Sequence, residues 1–182
     1  MKAKFKCCFT GYRPSKFPFP MNENNPQYLA FENALYEEII SLVRKGCTTF
    51  ITGMAMGFDI IAAETVLNVA LAVKDVDVKL YCVLPFENQI DTFYDSWKER
   101  YLKVLQKCDK KTVLSEEYFS GCYAKRNKFM VDNSDYVLTW YDGKSGGTKN
   151  TIDYALKKQR AVININKDFD SIFAVQEAIE II

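Results

Sequence analysis

Short apolar runs alternate along this chain with longer segments of helical period, and the turns between them carry the glycines. Predicted strands cover residues 4–11, 47–53, 76–86, 111–115, 135–141 and 161–166, and predicted helices cover residues 25–47, 58–74, 88–108, 122–134, 146–159 and 169–182. Strands that alternate with helices form βαβ units, whose strands run parallel. The pattern therefore predicts an α/β fold with a mainly parallel sheet flanked by helices.

The length and composition indicate one globular domain. A chain of 182 residues is long enough to bury one sizeable core and short for two. Hydrophobic residues make up 48% and charged residues 26%, as in ordinary globular proteins. Because no repeat, linker or low-complexity segment interrupts the chain, we expect a single domain over residues 1–182.

The balance of charge and hydropathy bears on location and partners. A formal net charge of +1 provides no global field for nucleic acid, so we do not expect nucleic acid as a partner. The most apolar stretch, residues 60–73, is interrupted by Glu64 and Asn68 and is too short to span a bilayer. The N-terminus lacks the apolar region of a signal peptide. We therefore expect a cytoplasmic protein with no membrane partner.

Residue types restrict the possible chemistry. The chain has six cysteines but no CxxC pair, and it has no histidine, so we expect reduced structural thiols, no metal site and no cofactor. The absence of histidine also removes the usual Ser-His and Cys-His nucleophile systems. Any reaction must use carboxylates, arginine, lysine, tyrosine or backbone groups.

Three glycine-containing loops follow predicted strands: "TGYRP" at residues 10–14, "TGMAMG" at 52–57 and "YDGKSGGT" at 141–148. In an open parallel sheet, ligands bind beyond the carboxyl ends of the strands, where loop amides and helix N-termini converge. The candidate ligand-binding residues in these loops are Thr10, Gly11, Gly53, Gly57, Gly146, Gly147 and Thr148. The loop before the helix at 146–159 offers the best phosphate cradle, although isolated turn glycines often have no ligand.

Charged and aromatic residues near these loops are further candidates. Arg13 could clamp an anion, and Arg126 lies on a helix whose apolar face could direct it to the same site. Asp59 could hold ribose hydroxyls, with Glu64 a weaker candidate on the same helix. Each of these could instead be an ordinary surface or capping residue. At the strand ends, Tyr12, Phe86 and Tyr141 could stack a base if they are not core residues.

The ordered motifs "FTGYRP", "ITGMAMGFDIIAAE", "LPFENQ" and "RNKFMVDNSDYVLTWYDGKSGGT" resemble those of the YpsA-like family of the SLOG superfamily, over nearly the whole chain. This superfamily includes the DprA proteins and the LOG phosphoribohydrolases. The resemblance implies a Rossmann-like three-layer sandwich and a nucleotide-like small molecule as ligand. Because similar proteins form helix-mediated dimers, it also implies a possible homodimer.

The LOG pattern provides a catalytic comparison. Residues that fit it in order are Arg126, Met130, Ser134, Asp135, Gly147 and Thr148. Its catalytic glutamate would stand three residues after Thr148, where this chain has Thr151. A threonine cannot act as a base near neutral pH. We therefore interpret the chain as a binding or sensing module for a nucleotide or nucleotide-derived ligand. The alternative is a nucleotide N-glycosidase that uses Arg126 and a carboxylate from Asp59 or Glu64.

Overall fold

The computed structural model describes residues 4–166, which form a six-stranded sheet whose strand pairs are all parallel. The strands are β1 (Phe5–Thr10), β2 (Cys47–Thr52), β3 (Lys79–Leu84), β4 (Lys110–Val113), β5 (Tyr136–Thr139) and β6 (Ala161–Asn164). The helices are α1 (Pro26–Lys45), α2 (Phe58–Ala72), α3 (Asp95–Lys107), α4 (Cys122–Asp132) and α5 (Gly147–Lys157). The predicted Rossmann-like α/β architecture is confirmed.

Two sequence-based expectations extend past the described range. The predicted helix at residues 169–182 lies outside the described residues. The single-domain interpretation of residues 1–182 remains a prediction for the same reason. Within the described part of the chain, no helix is long and apolar enough to cross a membrane.

The strand order is β4-β3-β2-β1-β5-β6. The strands β1 to β4 are therefore added in one direction across the sheet, and the chain then returns to add β5 and β6 on the other side of β1. Right-handed crossovers then place α1, α2 and α3 on one face and α4 and α5 on the other. The contacts of α2 with α1 and α3, and of α4 with α5, agree with this three-layer arrangement. Loops that follow β1 and β5 diverge to opposite faces, which opens a crevice at the carboxyl edge.

Local signals explain where α1 begins and ends. The Asn25 side chain accepts hydrogen bonds from the backbone N–H groups of Gln27 and Tyr28, and Pro26 occupies the first helical position. Gly46 ends the helix with φ of 116°, a left-handed conformation that glycine adopts without strain. The predicted helix 25–47 is therefore confirmed to within two residues at its end.

The predicted helix 88–108 is divided in the structure. A 3-10 turn covers Gln89–Thr92, and α3 begins only at Asp95. Between them Phe93 has extended backbone angles, and its ring lies 5.5 Å from the Tyr101 ring, edge to face. Phe93 is 5% exposed, so burial of its side chain in the core stabilises the break between the 3-10 turn and α3.

The helix α2 lies deep in the core, as its uniformly apolar sequence predicts. Its buried residues are Phe58, Asp59, Ile60, Ile61, Ala62, Ala63, Val66 and Val69. Asp59 is the one charged residue in this set, and it lies in the first turn, next to the carboxyl edge of the sheet. A buried carboxylate requires a specific partner.

Candidate functional site

A cavity of about 180 Å³ opens at the carboxyl edge of the sheet, at the crevice between β1 and β5. It is lined by Thr10, Gly11, Tyr12, Arg13, Lys16, Ala55, Asp59, Tyr123, Arg126, Asn127, Gly147 and Thr148. We call it the anion cavity. These residues come from the loops after β1 and β2, the first turns of α2 and α5, and one face of α4.

The structure brings most of the sequence-predicted site residues to this cavity. Those that line it are Thr10, Gly11, Arg13, Asp59, Arg126, Gly147 and Thr148. Three predicted glycines, Gly53, Gly57 and Gly146, are not among the lining residues. The carboxylate of Glu64 is also elsewhere: it forms two hydrogen bonds with the Arg100 guanidinium of α3, at 2.8 and 2.5 Å. We therefore drop Glu64 as a catalytic candidate.

Gly53 supports the cavity without lining it. The guanidinium of Arg126 donates a hydrogen bond to the Gly53 carbonyl oxygen and lies against this residue. A Cβ atom at position 53 would overlap the guanidinium. Glycine is therefore needed here for the close approach of an arginine 73 residues later in the chain.

Gly147 differs from Gly11 and Gly57 because it faces open space. A Cβ atom built on Gly147 would have no atom within 4 Å other than those of its chain neighbours and of the α5 backbone. At Gly11 a Cβ atom would overlap the Phe58 ring, and at Gly57 it would lie 2.4 Å from the Tyr12 carbonyl oxygen. Gly147 is the first residue of α5 and lines the cavity. A ligand can therefore reach the helix backbone at this position.

The N-terminus of α5 has no side-chain cap. Its N-cap residue, Gly146, has no side chain, and no described side chain accepts a hydrogen bond as a cap there. The Thr148 hydroxyl donates to the Gly11 carbonyl oxygen at 3.0 Å, so it ties α5 to the loop after β1. The first N–H groups of a helix without a cap are available to an anion and lie at the positive end of the helix dipole.

Arg126 and Asp59 form a buried pair in the cavity wall. The Arg126 Nη1 and Asp59 Oδ2 atoms are 3.6 Å apart, and their side chains are 5% and 6% exposed. Burial raises the pKa of Asp59 above its ordinary value, although Arg126 acts in the opposite direction. Burial likewise lowers the pKa of Arg126 despite the attraction of Asp59. The Arg126 Nε atom has no hydrogen-bond partner among residues 4–166.

The cavity contains an excess of positive charge. Arg13, Lys16 and Arg126 contribute three cationic groups, against one carboxylate from Asp59, which is a formal excess of two positive charges. Lys16 also links two of the loops, because its Nζ atom donates to the Ser145 carbonyl oxygen at 3.4 Å. The local charge therefore favours an anion even though the whole chain is nearly neutral.

Thr151, at the position of the LOG glutamate, is fully engaged in local hydrogen bonds. Its hydroxyl donates to the Gly147 carbonyl oxygen at 2.8 Å and accepts from Asn127 Nδ2 at 2.8 Å. The bond from Asn127 connects α4 to α5, and the bond to Gly147 lies within α5. Asp59 is consequently the one carboxylate among the residues that line the anion cavity.

The aromatic residues proposed to stack a base are core residues. Tyr12 and Tyr141 are each 2% exposed and Phe86 is 6% exposed. The Tyr12 hydroxyl donates to Asp142 Oδ1 at 2.5 Å, and its ring packs edge to face against Trp140 at 5.6 Å. Their low exposure leaves little ring surface on which a base could stack.

Sequence reasoning missed three lining residues with useful chemistry: Lys16, Tyr123 and Asn127. Helical spacing could have indicated two of them, because on α4 Tyr123 lies three residues before Arg126 and four residues before Asn127. Lys16 lies in a 3-10 turn over Pro14–Lys16, for which the sequence gives no comparable signal. Among residues 4–166, no group of three or more cysteines and carboxylates is placed to hold a metal ion.

Comparison with known proteins gives a family match over most of the chain. The model of YpsA, described as the YspA SLOG family, matches residues 7–172. A UPF0398 protein of Bacillus cereus (strain ATCC 14579) is 25% identical over 173 residues, which cover 94% of this chain and 92% of that protein. A UPF0398 protein of Bacillus thuringiensis (strain Al Hakam) has the same identity and coverage.

Two solved structures share the fold. DNA processing protein A (DprA) from Streptococcus pneumoniae aligns with a TM-score of 0.60 and 17% identity, over 92% of this chain and 54% of that one. The Helicobacter pylori protein, whose structure describes a single-stranded DNA binding mode, aligns with a TM-score of 0.57 and 22% identity. This alignment covers 87% of this chain and 63% of that one. The chain thus spans just over half to somewhat under two thirds of these neighbours.

The expectation that nucleic acid is not a partner is contradicted by this comparison. A protein of the same fold is described as binding single-stranded DNA. The expectation relied on a net charge of +1 for the whole chain, whereas binding depends on charge near the site. The excess of positive charge in the anion cavity shows why the global value is a poor guide.

Proposed function

Since this chain belongs to the YspA SLOG family, we propose that it is a cytoplasmic binding or sensing module for a nucleotide or nucleotide-derived ligand. The observation that carries the proposal is the anion cavity at the crevice between β1 and β5, with its formal excess of two positive charges. Sites at this position in open α/β sheets bind the phosphate groups of nucleotides.

In the proposed complex, the phosphate lies against the N-terminus of α5. Gly147 lets it approach the backbone N–H groups, because no side chain stands in the way. Arg13 and Lys16 neutralise its charge from the loop after β1, and Arg126 approaches from α4. The buried guanidinium of Arg126 then gains an anionic neighbour in addition to Asp59, which offsets the cost of burying its charge.

The other predicted residues either bind the sugar of the ligand or shape the cavity. Asp59 accepts hydrogen bonds from ribose hydroxyls, while Thr10 and Gly11 form the floor of the cavity beside β1. Gly53, Gly57 and Gly146 shape the loops that hold these groups. Binding without a reaction is the simplest interpretation, because Thr151 replaces a catalytic glutamate and its hydroxyl is already engaged.

A nucleotide N-glycosidase activity is the second candidate, and one observation favours it. Asp59 faces the cavity, and burial raises its pKa above the ordinary value, so a larger fraction of this carboxyl is protonated at a given pH. A general acid in such a site could protonate a departing base. Arg126 would stabilise the phosphate of the same substrate.

The test is a thermal-shift series on wild-type protein, Gly147→Asp and Ser96→Asp. An aspartate at position 147 lies at a helix N-terminus, where it favours the fold, but its charge repels an anion in the cavity. Ser96, exposed in the first turn of α3, gives the same charge change away from the cavity. Probes are AMP, GMP, NAD, ADP-ribose, inorganic phosphate and a short single-stranded DNA oligonucleotide.

Wild-type and Ser96→Asp proteins should be stabilised by about 2.7 kcal/mol at a ligand concentration one hundred times the dissociation constant. Gly147→Asp should melt at or slightly above the wild-type temperature without ligand and show no shift with it. An equal shift in all three proteins would overturn the site. Stabilisation by the oligonucleotide but not by mononucleotides would identify a nucleotide within a DNA strand as the ligand. Release of free base by the wild-type protein but not by Asp59→Asn would establish the N-glycosidase activity.

A further inference from the structure

A second cavity adjoins the anion cavity, between α4 and α5. It has a volume of about 310 Å³, and its lining includes Tyr123, Ala124, Asn127, Gly147, Asn150 and Tyr154. We call it the interhelix cleft. Tyr123, Asn127 and Gly147 line both cavities, so the two cavities adjoin at these residues. A ligand bound at the N-terminus of α5 can therefore extend between the helices.

The lining of the interhelix cleft suits a flat ring with polar edges. Tyr123 and Tyr154 provide aromatic surface, and Ala124 leaves room between the helices. Tyr154 is held in place because its hydroxyl bonds to the Asp132 carboxylate at 3.0 and 3.1 Å. The Lys128 and Lys158 ammonium groups lie 5.6 and 5.4 Å from the Tyr154 ring centroid, and the Arg13 guanidinium lies 5.7 Å from that of Tyr123. A base that stacks on either ring therefore takes the place of one of these long, flexible cations.

Two amide side chains can recognise the edge of such a ring. Asn127 uses its Nδ2 group to donate to Thr151, so its Oδ1 atom is the part of the amide left to accept a hydrogen bond from a ligand. Asn150 is exposed on α5 and presents both a donor and an acceptor to the cleft. Paired donors and acceptors of this type match the amino group and ring nitrogen of adenine.

The volumes of the two cavities indicate that each holds a different part of the ligand. The anion cavity, at about 180 Å³, is below the range of roughly 300–1,000 Å³ that is typical for whole small-molecule ligands. It accommodates a phosphate and part of a sugar. A cavity of about 150 Å³ can hold a single benzene ring, so the interhelix cleft, at about 310 Å³, has room for a bicyclic base.

We propose that the interhelix cleft binds the purine ring of a nucleotide whose phosphate occupies the anion cavity. This inference rests on the proposed function, since it assigns the base of the same ligand. The base stacks on Tyr123 or Tyr154, Asn127 and Asn150 read its edge, and Gly147 lies where the two parts of the ligand meet. The adenine edge matches this set of amides best.

The experiment compares AMP with ribose 5-phosphate, which has the same phosphate and sugar but no base. Ala124→Trp fills the cleft from an exposed position on α4. The matched control is Ala72→Trp, which places the same ring on the exposed last residue of α2. Asn150→Tyr, from the opposite helix, is a second blocking variant that does not depend on how α4 tolerates tryptophan. Affinities are measured by isothermal titration calorimetry.

Ala124→Trp and Asn150→Tyr should weaken AMP binding by at least about fivefold, the smallest loss expected for one displaced stacked base. Ribose 5-phosphate affinity should stay within about twofold, as for surface changes away from a contact. AMP affinity unchanged in both variants would overturn the inference while leaving the anion cavity intact. Equal affinity of wild-type protein for AMP and CMP would overturn the purine assignment, and no binding of either probe to wild-type protein would instead refute the proposed function.

Discussion

Replacing Asp59 by asparagine tests the balance of forces in the anion cavity. The change keeps the shape of the side chain and removes its charge. At the observed separation of 3.6 Å between Oδ2 and the Arg126 Nη1 atom, the attraction is about 4 to 5 kcal/mol if the effective dielectric constant is about 20. Burying each ion costs several kcal/mol in opposition to this attraction.

The pKa of Asp59 decides which contribution is larger. Burial raises this pKa in spite of Arg126, so the neutral form of the carboxyl is favoured in the folded state. The neutral asparagine should therefore leave the protein at least as stable as the wild type at neutral pH. Arg126 keeps its hydrogen bond to the Gly53 carbonyl oxygen, which limits the cost of losing its carboxylate partner.

The raised pKa of Asp59 also predicts how the stability of the protein depends on pH. A carboxyl whose pKa is raised on folding contributes stability below its ordinary value of 3.8, and this contribution is lost as the pH rises through the folded-state pKa. Asp59→Asn lacks this titration. The free energy of unfolding of the wild type, minus that of the variant, should thus decrease as the pH rises from 3.8 to neutrality.

Urea unfolding, followed by the fluorescence of the buried Trp97 and Trp140, measures the free energy of unfolding of the wild type and the variant at each pH. Asp153→Asn, which removes the carboxylate of an exposed pair with Lys149, is the matched control and should not change the stability measurably. A variant less stable than wild type at neutral pH by more than about 1 kcal/mol, beyond the error of extrapolation, would refute the reasoning. It would show that attraction exceeds the cost of burial.

Two further changes test other contacts. Gly53→Ala should abolish the thermal stabilisation by inorganic phosphate, because its methyl group displaces the Arg126 guanidinium. Gly147→Ala is the control, because its methyl group meets open space and should leave Arg126 in place. A full phosphate response in Gly53→Ala would contradict this role of Gly53. The neighbouring Cys82 thiol lowers the pKa of Cys108 below its ordinary 9.0. The midpoint for alkylation of Cys108 by iodoacetamide, followed by mass spectrometry over a pH series, should therefore lie below 9.0, and Cys82→Ala should move it upward. An unmoved midpoint would exclude the thiol pair as the cause.

The sequence by itself determined the elements of the fold. Strand and helix periods depend on residues a few positions apart, so the alternating pattern located β1 to β6 and α1 to α5 within the described range. The predicted helix over 88–108 was the exception, because burial of Phe93 against Tyr101 depends on a packing contact that periodicity does not encode.

The sequence also indicated the glycine loops but not their separate roles. Gly53 and Gly147 both follow strands, yet Gly53 accommodates an arginine and Gly147 opens to the cavity. Arg126 was a candidate from its helix, whereas its contact with Gly53 joins residues 73 positions apart. Such a contact is set by how two elements pack, so local sequence cannot predict it.

Tertiary structure alone decided which loops meet. The order β4-β3-β2-β1-β5-β6 places β1 beside β5, so the loop that carries Arg13 and Lys16 lies next to the N-terminus of α5. Strand order depends on long-range pairing, which the period of each strand does not specify. This arrangement concentrates positive charge in one cavity of a nearly neutral chain, and it was this local excess that the net charge of +1 concealed.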